Sequence, residues 1–413
     1  MSAVPPDRVA RLLAGPPPAA GPETLHAHHA RLGPLPNPGP GMIQTIERSG
    51  LLGRGGAAFP VARKWAAVVA QPGDDPIVLV NGAEGEPLSA KDRTLMAARP
   101  QLVLDGAMIA AGAVGAREVV LYVGENHHDA RRALERALVE RGRSRMRTHL
   151  VLAPDAFVAG EETAAVHYVN DGDARPTTKP PRPFERGIGD RPTLVHNVET
   201  LAQLGLIARF GEAWHSAAGR GPTRGTTLVT LQHQGRSTVS EVEFGTRVGE
   251  VAANHGVAPA DTDAVLLGGY HGTWLRRKDA WALPIDPVTL RAASAAMGSG
   301  VIGLLPQGSC GVTSAARITD YLAAQSAAQC GPCVFGLRAI ADAMLAIAEL
   351  RGTPDDVARI RRWTALLTGR GACRHPDGAA VMLGSALGAF ADDFESHSRR
   401  RGCIARSQRA VAA

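Results

Sequence analysis

Ile77-Val78-Leu79-Val80-Asn81-Gly82-Ala83-Glu84-Gly85-Glu86-Pro87 is the stretch on which the fold turns. Four consecutive apolar residues, three of them β-branched, read as a strand buried on both faces. The strand runs straight into a loop of Asn, Gly and Glu. Further along, Val119-Val120-Leu121-Tyr122-Val123 reads as a second strand, followed by a helix from about Asp129 to Arg141. His149-Leu150-Val151-Leu152 reads as a third. Strands separated by helices imply a largely parallel sheet, and ligands of such sheets sit at the carboxyl ends of the strands. The Asn81 loop and the turn Gly160-Glu161-Glu162 both follow strand readings. That is where a ligand site belongs.

Upstream stands Gly53-Arg54-Gly55-Gly56-Ala57-Ala58-Phe59-Pro60, then Lys64-Trp65. Glycines let a backbone approach a flat or anionic ligand without Cβ clashes. Arg54 and Lys64 add positive charge where phosphate would sit, and a helix is expected just beyond Pro60. Gly53-x-Gly55-x-x-Ala58 mimics a dinucleotide fingerprint, but that fingerprint follows a strand. Here Met42 to Ser49 reads as a helix, so an ordinary Rossmann motif is excluded on context.

Between about Thr226 and Leu305 the pattern changes to short β-like runs, Thr227 to Leu231, Ser240 to Phe244 and Ala264 to Leu267, with turns at Gly235, Gly268-Gly269 and Gly272. From Thr313 onward it is helical, with breaks at Gly331-Pro332, Gly352-Thr353-Pro354 and Gly369 to Pro376.

At 413 residues the chain has room for two or three domains. No apolar run is long enough to cross a bilayer, and the Pro-rich start (Pro5, Pro6, Pro16-Pro17-Pro18) has no signal-peptide segment, so a cytoplasmic protein is expected. Five unevenly spaced cysteines argue against a disulfide framework and leave metal binding open. The net charge of +6 gathers in two arginine clusters, Arg141, Arg143, Arg145 and Arg147, and Arg399-Arg400-Arg401 with Arg406 and Arg409. Solvated surface is the simplest reading, and a landing site for an acidic electron carrier such as a ferredoxin the sharper one. Nucleic acid is disfavoured, because aromatics make up only 4% of the chain and do not interleave with the basic residues.

In order, the Gly53 loop, Asn81 to Pro87, Lys91-Asp92-Arg93, Ala159 to Ala164, Lys179-Pro180-Pro181 and His196-Asn197-Val198-Glu199-Thr200 resemble the NADH-oxidising flavoprotein subunit of respiratory complex I. Its soluble relatives serve formate dehydrogenases and hydrogenases. The resemblance runs from about His26 to about Glu395. It implies a flexible lead-in (1–25), a parallel-sheet α/β domain for FMN and nucleotide (26–222), a β-grasp-type domain (223–307), a helical iron–sulfur-type domain (308–397) and a basic tail (398–413). FMN would be enclosed by Gly53, Arg54, Gly55, Gly56, Lys64, Asn81, Glu84, Gly160, Glu161, Lys179, Val195, His196, Asn197 and Thr200. Phe59 and Phe157 would meet the nucleotide, and Glu86 and Glu162 would help place it for hydride transfer. The implied activity is NAD(P)H:acceptor oxidoreduction, with a quinone-linked complex or ferredoxin-like subunit as partner. Two rivals remain open, a ferredoxin-dependent flavin enzyme that does not use NADH and a degenerate scaffold subunit. A glycosidase-type acid pair is set aside, since neither Glu161-Glu162 nor Glu84/Glu86 comes with an aromatic-rich groove.

The chain departs from the pattern at five positions. Ala67 and Arg182 stand where further aromatics are expected, and Ala83 replaces an aspartate, with Gly82 where alanine is common. A lost stacking platform costs ~1–3 kcal/mol, which weakens nucleotide binding or, with Arg182 facing a 2′-phosphate, shifts it toward NADPH. Finally, where the family is expected to hold a 4Fe–4S cluster on four cysteines, Cys330-Gly331-Pro332-Cys333 and Cys373 offer three and Ala327 takes the place of the fourth, so a cluster on three thiolates and a bundle of buried thiols without metal both stay open. Cys310 and Cys403 lie outside that pattern.

Overall fold

The structure, a computed structural model, describes residues 10–37, 41–73, 75–142 and 145–404. Pro5, Pro6, Arg143, Arg406 and Arg409 lie outside the described residues. The chain divides into two compact units. The first holds residues up to Gly85, Ser89–Val229 and Val239–Thr246; the second holds Glu86–Leu88, Thr230–Thr238 and the chain from Arg247 onward.

In the first unit the elements run α1 (Leu25–Leu32), α2 (Met42–Ser49), α3 (Val61–Val69), β1 (Ile77–Gly82), α4 (Lys91–Ala98), α5 (Pro100–Val114), β2 (Glu118–Gly124), α6 (His128–Arg141), β3 (Arg147–Ala153), α7 (Glu162–Asp171), β4 (Thr193–Asn197) and α8 (Val198–Ser216). The four strands form one sheet in the order β3-β2-β1-β4, every pairing parallel. β1 is central, and Ile77, Val78, Leu79 and Val80 are buried. Their two faces feed two apolar clusters, Val78 and Val80 with Leu102, Leu121 and Leu201, and Ile77 and Leu79 with Tyr122 and Val195. A two-sided strand of this kind follows from the unbroken apolar run. β4 is less legible, because its five residues include Thr193, His196 and Asn197.

Residues 10–25, expected to be a loose lead-in, are instead partly seated in this unit. Leu12 is fully buried, and the Glu241 carboxylate accepts the N–H groups of Arg11, Leu12 and Leu13 at 2.8, 2.7 and 3.1 Å. One carboxylate thereby satisfies three consecutive backbone donors, which ties the segment down more firmly than its composition suggests.

A second, mixed sheet is ordered β6-β5-β9-β7-β8, with β5 Thr226–His233, β6 Arg236–Glu243, β7 Thr262–Leu267, β8 Thr273–Arg276 and β9 Val301–Pro306; Thr226–Val229 of β5 and Val239–Glu243 of β6 are counted with the first unit, the rest with the second. β9 runs parallel to β5 and antiparallel to β7. β5 turns into β6 through Gln234-Gly235, both at positive φ (48° and 77°), the geometry of a two-residue hairpin. Three short helices, α9 (Val248–Asn254), α10 (Arg277–Ala280) and α11 (Pro287–Ala292), lie between strands. Five more follow: α12 (Gly311–Ala324), α13 (Arg338–Ala348), α14 (Pro354–Leu367), α15 (His375–Ala389) and α16 (Ala391–Ser398). The helical breaks read from sequence fall at the ends of these helices. β8 and β9 were not separable by pattern.

Among the described residues no helix is long and apolar enough to cross a membrane. Three of the six described cluster arginines carry ion pairs. Arg141 bonds Asp105 and Gln101, Arg147 bonds Glu118 at 3.2 Å, and Arg399 pairs with Glu395 at 2.7 Å.

Candidate functional site

Parallel register sets Asn81 of β1 beside Asn197 of β4, both at the carboxyl ends of their strands. The Gly53 loop closes on this point. Its base is pinned by the Gly53 N–H to the Phe59 carbonyl at 2.9 Å and by the Leu52–Pro60 bridge. Its body is held down by the Arg54 N–H, which donates to Thr200 Oγ1 at 2.9 Å. A Cβ at Gly55 would stand 3.6 Å from the Asn197 Cβ, so the glycine backbone lies directly over Asn197. The Asn197 side chain caps α8 by accepting the Glu199 N–H at 2.9 Å, and its Nδ2 donates to Asp92 at 2.6 Å.

The Gly160 turn meets the same corner. Asn81 Nδ2 donates to the Gly160 carbonyl at 2.8 Å, and Glu161 caps α7 by accepting the N–H groups of Thr163 and Ala164. A Cβ at Gly85 would fall 2.7 Å from the Phe157 carbonyl oxygen, so the Asn81 loop and the Phe157 turn touch backbone to backbone. Two lysines complete the rim. Lys64 Nζ lies 3.3 Å from Glu162, and Lys179 Nζ lies 2.6 Å from Glu161 and 3.3 Å from Glu162. Burial would raise the Glu162 pKa, but Lys64 and Lys179 outweigh it and hold the carboxyl below its usual range. Phe59 is 53% exposed beside the loop and is free to stack on a flat ligand.

Several expected site residues are wall rather than lining. Arg54 is buried, its guanidinium donating to the Leu52 and Thr226 carbonyls and lying over the Phe244 ring at 4.6 Å. Only its backbone faces the loop, so its side chain is not a phosphate ligand. His196 is buried and its Nε2 accepts the Trp65 Nε1–H at 2.8 Å; burial pushes its pKa well down and Lys64 adds to this, leaving it neutral. Thr200 holds the loop, and Val195 packs in the core. Glu84 caps α4, accepting the Asp92 and Arg93 N–H groups at 2.8 and 3.0 Å. Glu86 belongs to the second unit, where it accepts the Leu88 and Tyr270 N–H groups at 3.2 and 2.8 Å. The two sequence departures have local reasons. A Cβ at Gly82 would lie 2.6 Å from Met96 Sδ, and the Ala83 methyl group packs in the apolar cluster of Tyr122.

Sequence reasoning missed the role of Lys91, which is buried with its Nζ 2.7 Å from Asp92 and 2.9 Å from Glu199. Burial disfavours its charge, but the two carboxylates more than compensate and raise its pKa. The Lys91-Asp92 and Glu199 positions were visible as parts of motifs; their pairing across the fold was not.

In the second unit Cys330, Cys333 and Cys373 come together at one end of the helices. The Cys333 N–H donates to the Cys330 carbonyl at 3.2 Å, and a π-helical turn, Pro332–Leu337, leads into α13. Burial first, then the neighbouring Cys330 and Cys373, push the Cys333 thiol up to about 12. None of the three is in a disulfide.

The residues present fit a flavin mononucleotide in part. Lys64, Lys179 and the Gly53 loop backbone can hold a phosphate, the amides of Asn81 and Asn197 can orient a ribityl chain, and Arg54, Glu84, Val195, His196 and Thr200 build the cradle. The cysteine trio fits an iron–sulfur cluster with one iron lacking a thiolate from this set.

Comparison with known proteins agrees with this arrangement. Residues 46–205 match the family described as Nuo51 FMN-binding domain, and residues 313–397 match the NADH-ubiquinone oxidoreductase-F iron-sulfur binding region. The chain is similar to the F 2 subunit of NADH-quinone oxidoreductase from Rhizobium meliloti, 29% identical over 378 residues, covering 88% of this chain and 90% of that one. It is also similar to HndC, a subunit of the NADP-reducing hydrogenase of Solidesulfovibrio fructosivorans, 28% identical over 380 residues, 88% of this chain and 77% of that one. Among solved structures, a chain of an NAD+-reducing nickel–iron hydrogenase in the H2-reduced state superposes with a TM-score of 0.79 at 26% identity over 87% of this chain. This chain spans 62% of the length of that one.

Proposed function

We propose that this chain, which belongs to the family of FMN-binding and iron–sulfur flavoproteins of NADH dehydrogenases and related hydrogenases, accepts electrons from NAD(P)H and passes them to a redox partner. The observation that carries the reading is the convergence of the Gly53 loop, Asn81, Asn197 and the Lys64/Lys179 pair at the carboxyl ends of two adjacent parallel strands. When bound, FMN supplies the exchange between two-electron hydride transfer and single-electron release. The chain supplies position. The loop backbone and lysines grip the phosphate, Asn81 and Asn197 orient the tail, and Phe59 offers a face to the nucleotide base. Glu161 and Glu162 hold Lys64 and Lys179 in place along the rim.

On this reading the second unit is a β-grasp-type sheet followed by a cluster-binding bundle. Cys330, Cys333 and Cys373 hold the cluster, and a complex I-type subunit or ferredoxin-like protein on the cytoplasmic side takes the electrons. The absence of a cysteine at Ala327 favours a second reading, a scaffold subunit without turnover.

Anaerobic reconstitution with FMN separates the two. Stoichiometric flavin that bleaches rapidly with NADH or NADPH supports the oxidoreductase, and comparing both nucleotides at low concentration fixes the preference. A protein that stays colourless after FMN overturns both flavin binding and the proposal.

A further inference from the structure

Cys310, His397 and Cys403 stand apart from the cysteine trio and have no part in the function proposed above. All three are buried, and Cys310 Sγ, a ligand nitrogen of His397 and Cys403 Sγ lie within 4.8 Å of one another. Each arrives on a different piece of chain. Cys310 is the residue before α12, His397 lies near the end of α16, and Cys403 follows the turn after it. Asp393, one helical turn before His397, borders this trio without belonging to it: its Oδ1 lies 3.6 Å from Cys403 Sγ and accepts the Ile404 N–H at 3.0 Å, and a turn of the side chain would bring a carboxylate oxygen in as a fourth donor. We infer that Cys310, His397, Cys403 and Asp393 form a structural zinc site that fastens the end of the described chain to the helices.

The geometry supports this on three counts. A tetrahedron with Zn–S near 2.3 Å and Zn–N or Zn–O near 2.0 Å has mixed edges of about 3.5 Å. The His397 Nε2 to Cys310 Sγ separation is 3.4 Å and the Cys403 Sγ to Asp393 Oδ1 separation is 3.6 Å. Next, His397 is oriented as zinc-binding imidazoles are. Its Nδ1 lies 3.2 Å from the Ile347 carbonyl, so Nδ1–H donates there and the Nε2 lone pair faces the sulfurs. Lastly, a surface pocket lined by Ser309, Gly311, Asp393 and Ile404 opens beside the cluster and offers a route for the ion. Two thiolates, one imidazole and one carboxylate suit Zn2+ rather than a hard cation such as Mg2+. Binding releases the thiol protons and involves no change of oxidation state.

The test uses the full chain, stripped of metal and reloaded anaerobically with one equivalent of Zn2+. Zinc-edge X-ray absorption is expected to show two sulfurs and two nitrogen or oxygen ligands. Three or four sulfurs would put the ion at the Cys330 trio, and no stoichiometric binding would remove the site altogether; either result overturns the inference. Co2+ spectroscopy on variants gives an independent check. The tetrahedral thiolate spectrum should survive C333S and weaken at least tenfold in both C403S and H397Q. The reverse pattern overturns the inference.

Discussion

Two clusters of paired charges come from the same set of sequence motifs and behave as opposites in the fold. Arg54, Lys91, Asp92 and Glu199 are all buried, and the Glu199 carboxylate also accepts the Thr227 hydroxyl and the Leu228 N–H at 2.9 Å each. Lys64, Lys179, Glu161 and Glu162 make contacts of similar length but stay 23–30% exposed. The first cluster is a strut that joins α8, α4 and the Gly53 loop. The second is a rim that a ligand can rearrange. Motif membership alone does not separate strut from rim; burial does.

The largest effect is expected at the strut. Lys91→Ala leaves buried Asp92 without its cation and Glu199 with Arg54 alone, and should cost about 3–5 kcal/mol of stability in urea unfolding followed by tryptophan fluorescence. A loss below about 1 kcal/mol would make the strut equivalent to the rim and end the contrast.

Changing pH should move the two clusters in opposite directions, with a smaller effect. Burial, reinforced by Glu84 and resisted by Lys91, raises the Asp92 pKa above 3.8. Its protonation therefore favours the fold as pH falls toward that value. Glu162 is the reverse: its lowered pKa contributes stability that is present above 4.5 and is lost as pH falls through the folded value. Asp92→Asn and Glu162→Gln should tilt the acid limb of the stability profile in opposite senses. Equal tilts would show that the clusters share one environment.

The smallest stability effect belongs to the rim. Lys179→Met should change folding free energy by less than about 1 kcal/mol, because its partners remain solvated. It should nevertheless weaken FMN about tenfold, measured by fluorescence quenching during reconstitution, since a charge-assisted phosphate contact is worth roughly 1.5–3 kcal/mol. Unchanged FMN affinity would remove Lys179 from the phosphate site.

Sequence alone determined a good deal. The apolar run Ile77 to Val80 required a strand buried on both faces, and its alternation with helices required a parallel sheet. Ordered motifs pointed to one corner of that sheet, where the Gly53, Asn81 and Gly160 loops do meet, and the helical breaks near Pro332, Pro354 and Pro376 were readable because proline restricts the backbone locally. These features depend on neighbours along the chain. What only the tertiary structure decided depends on neighbours across it: Arg54 turns inward because Thr226, Phe244 and Glu199 await it, and Glu84 becomes a helix cap. Cys310 and Cys403, separated by most of the helical region, come within reach of His397 for the same reason. Pairings of this kind have no period in the sequence. They exist only once packing has fixed which side chains lose water together.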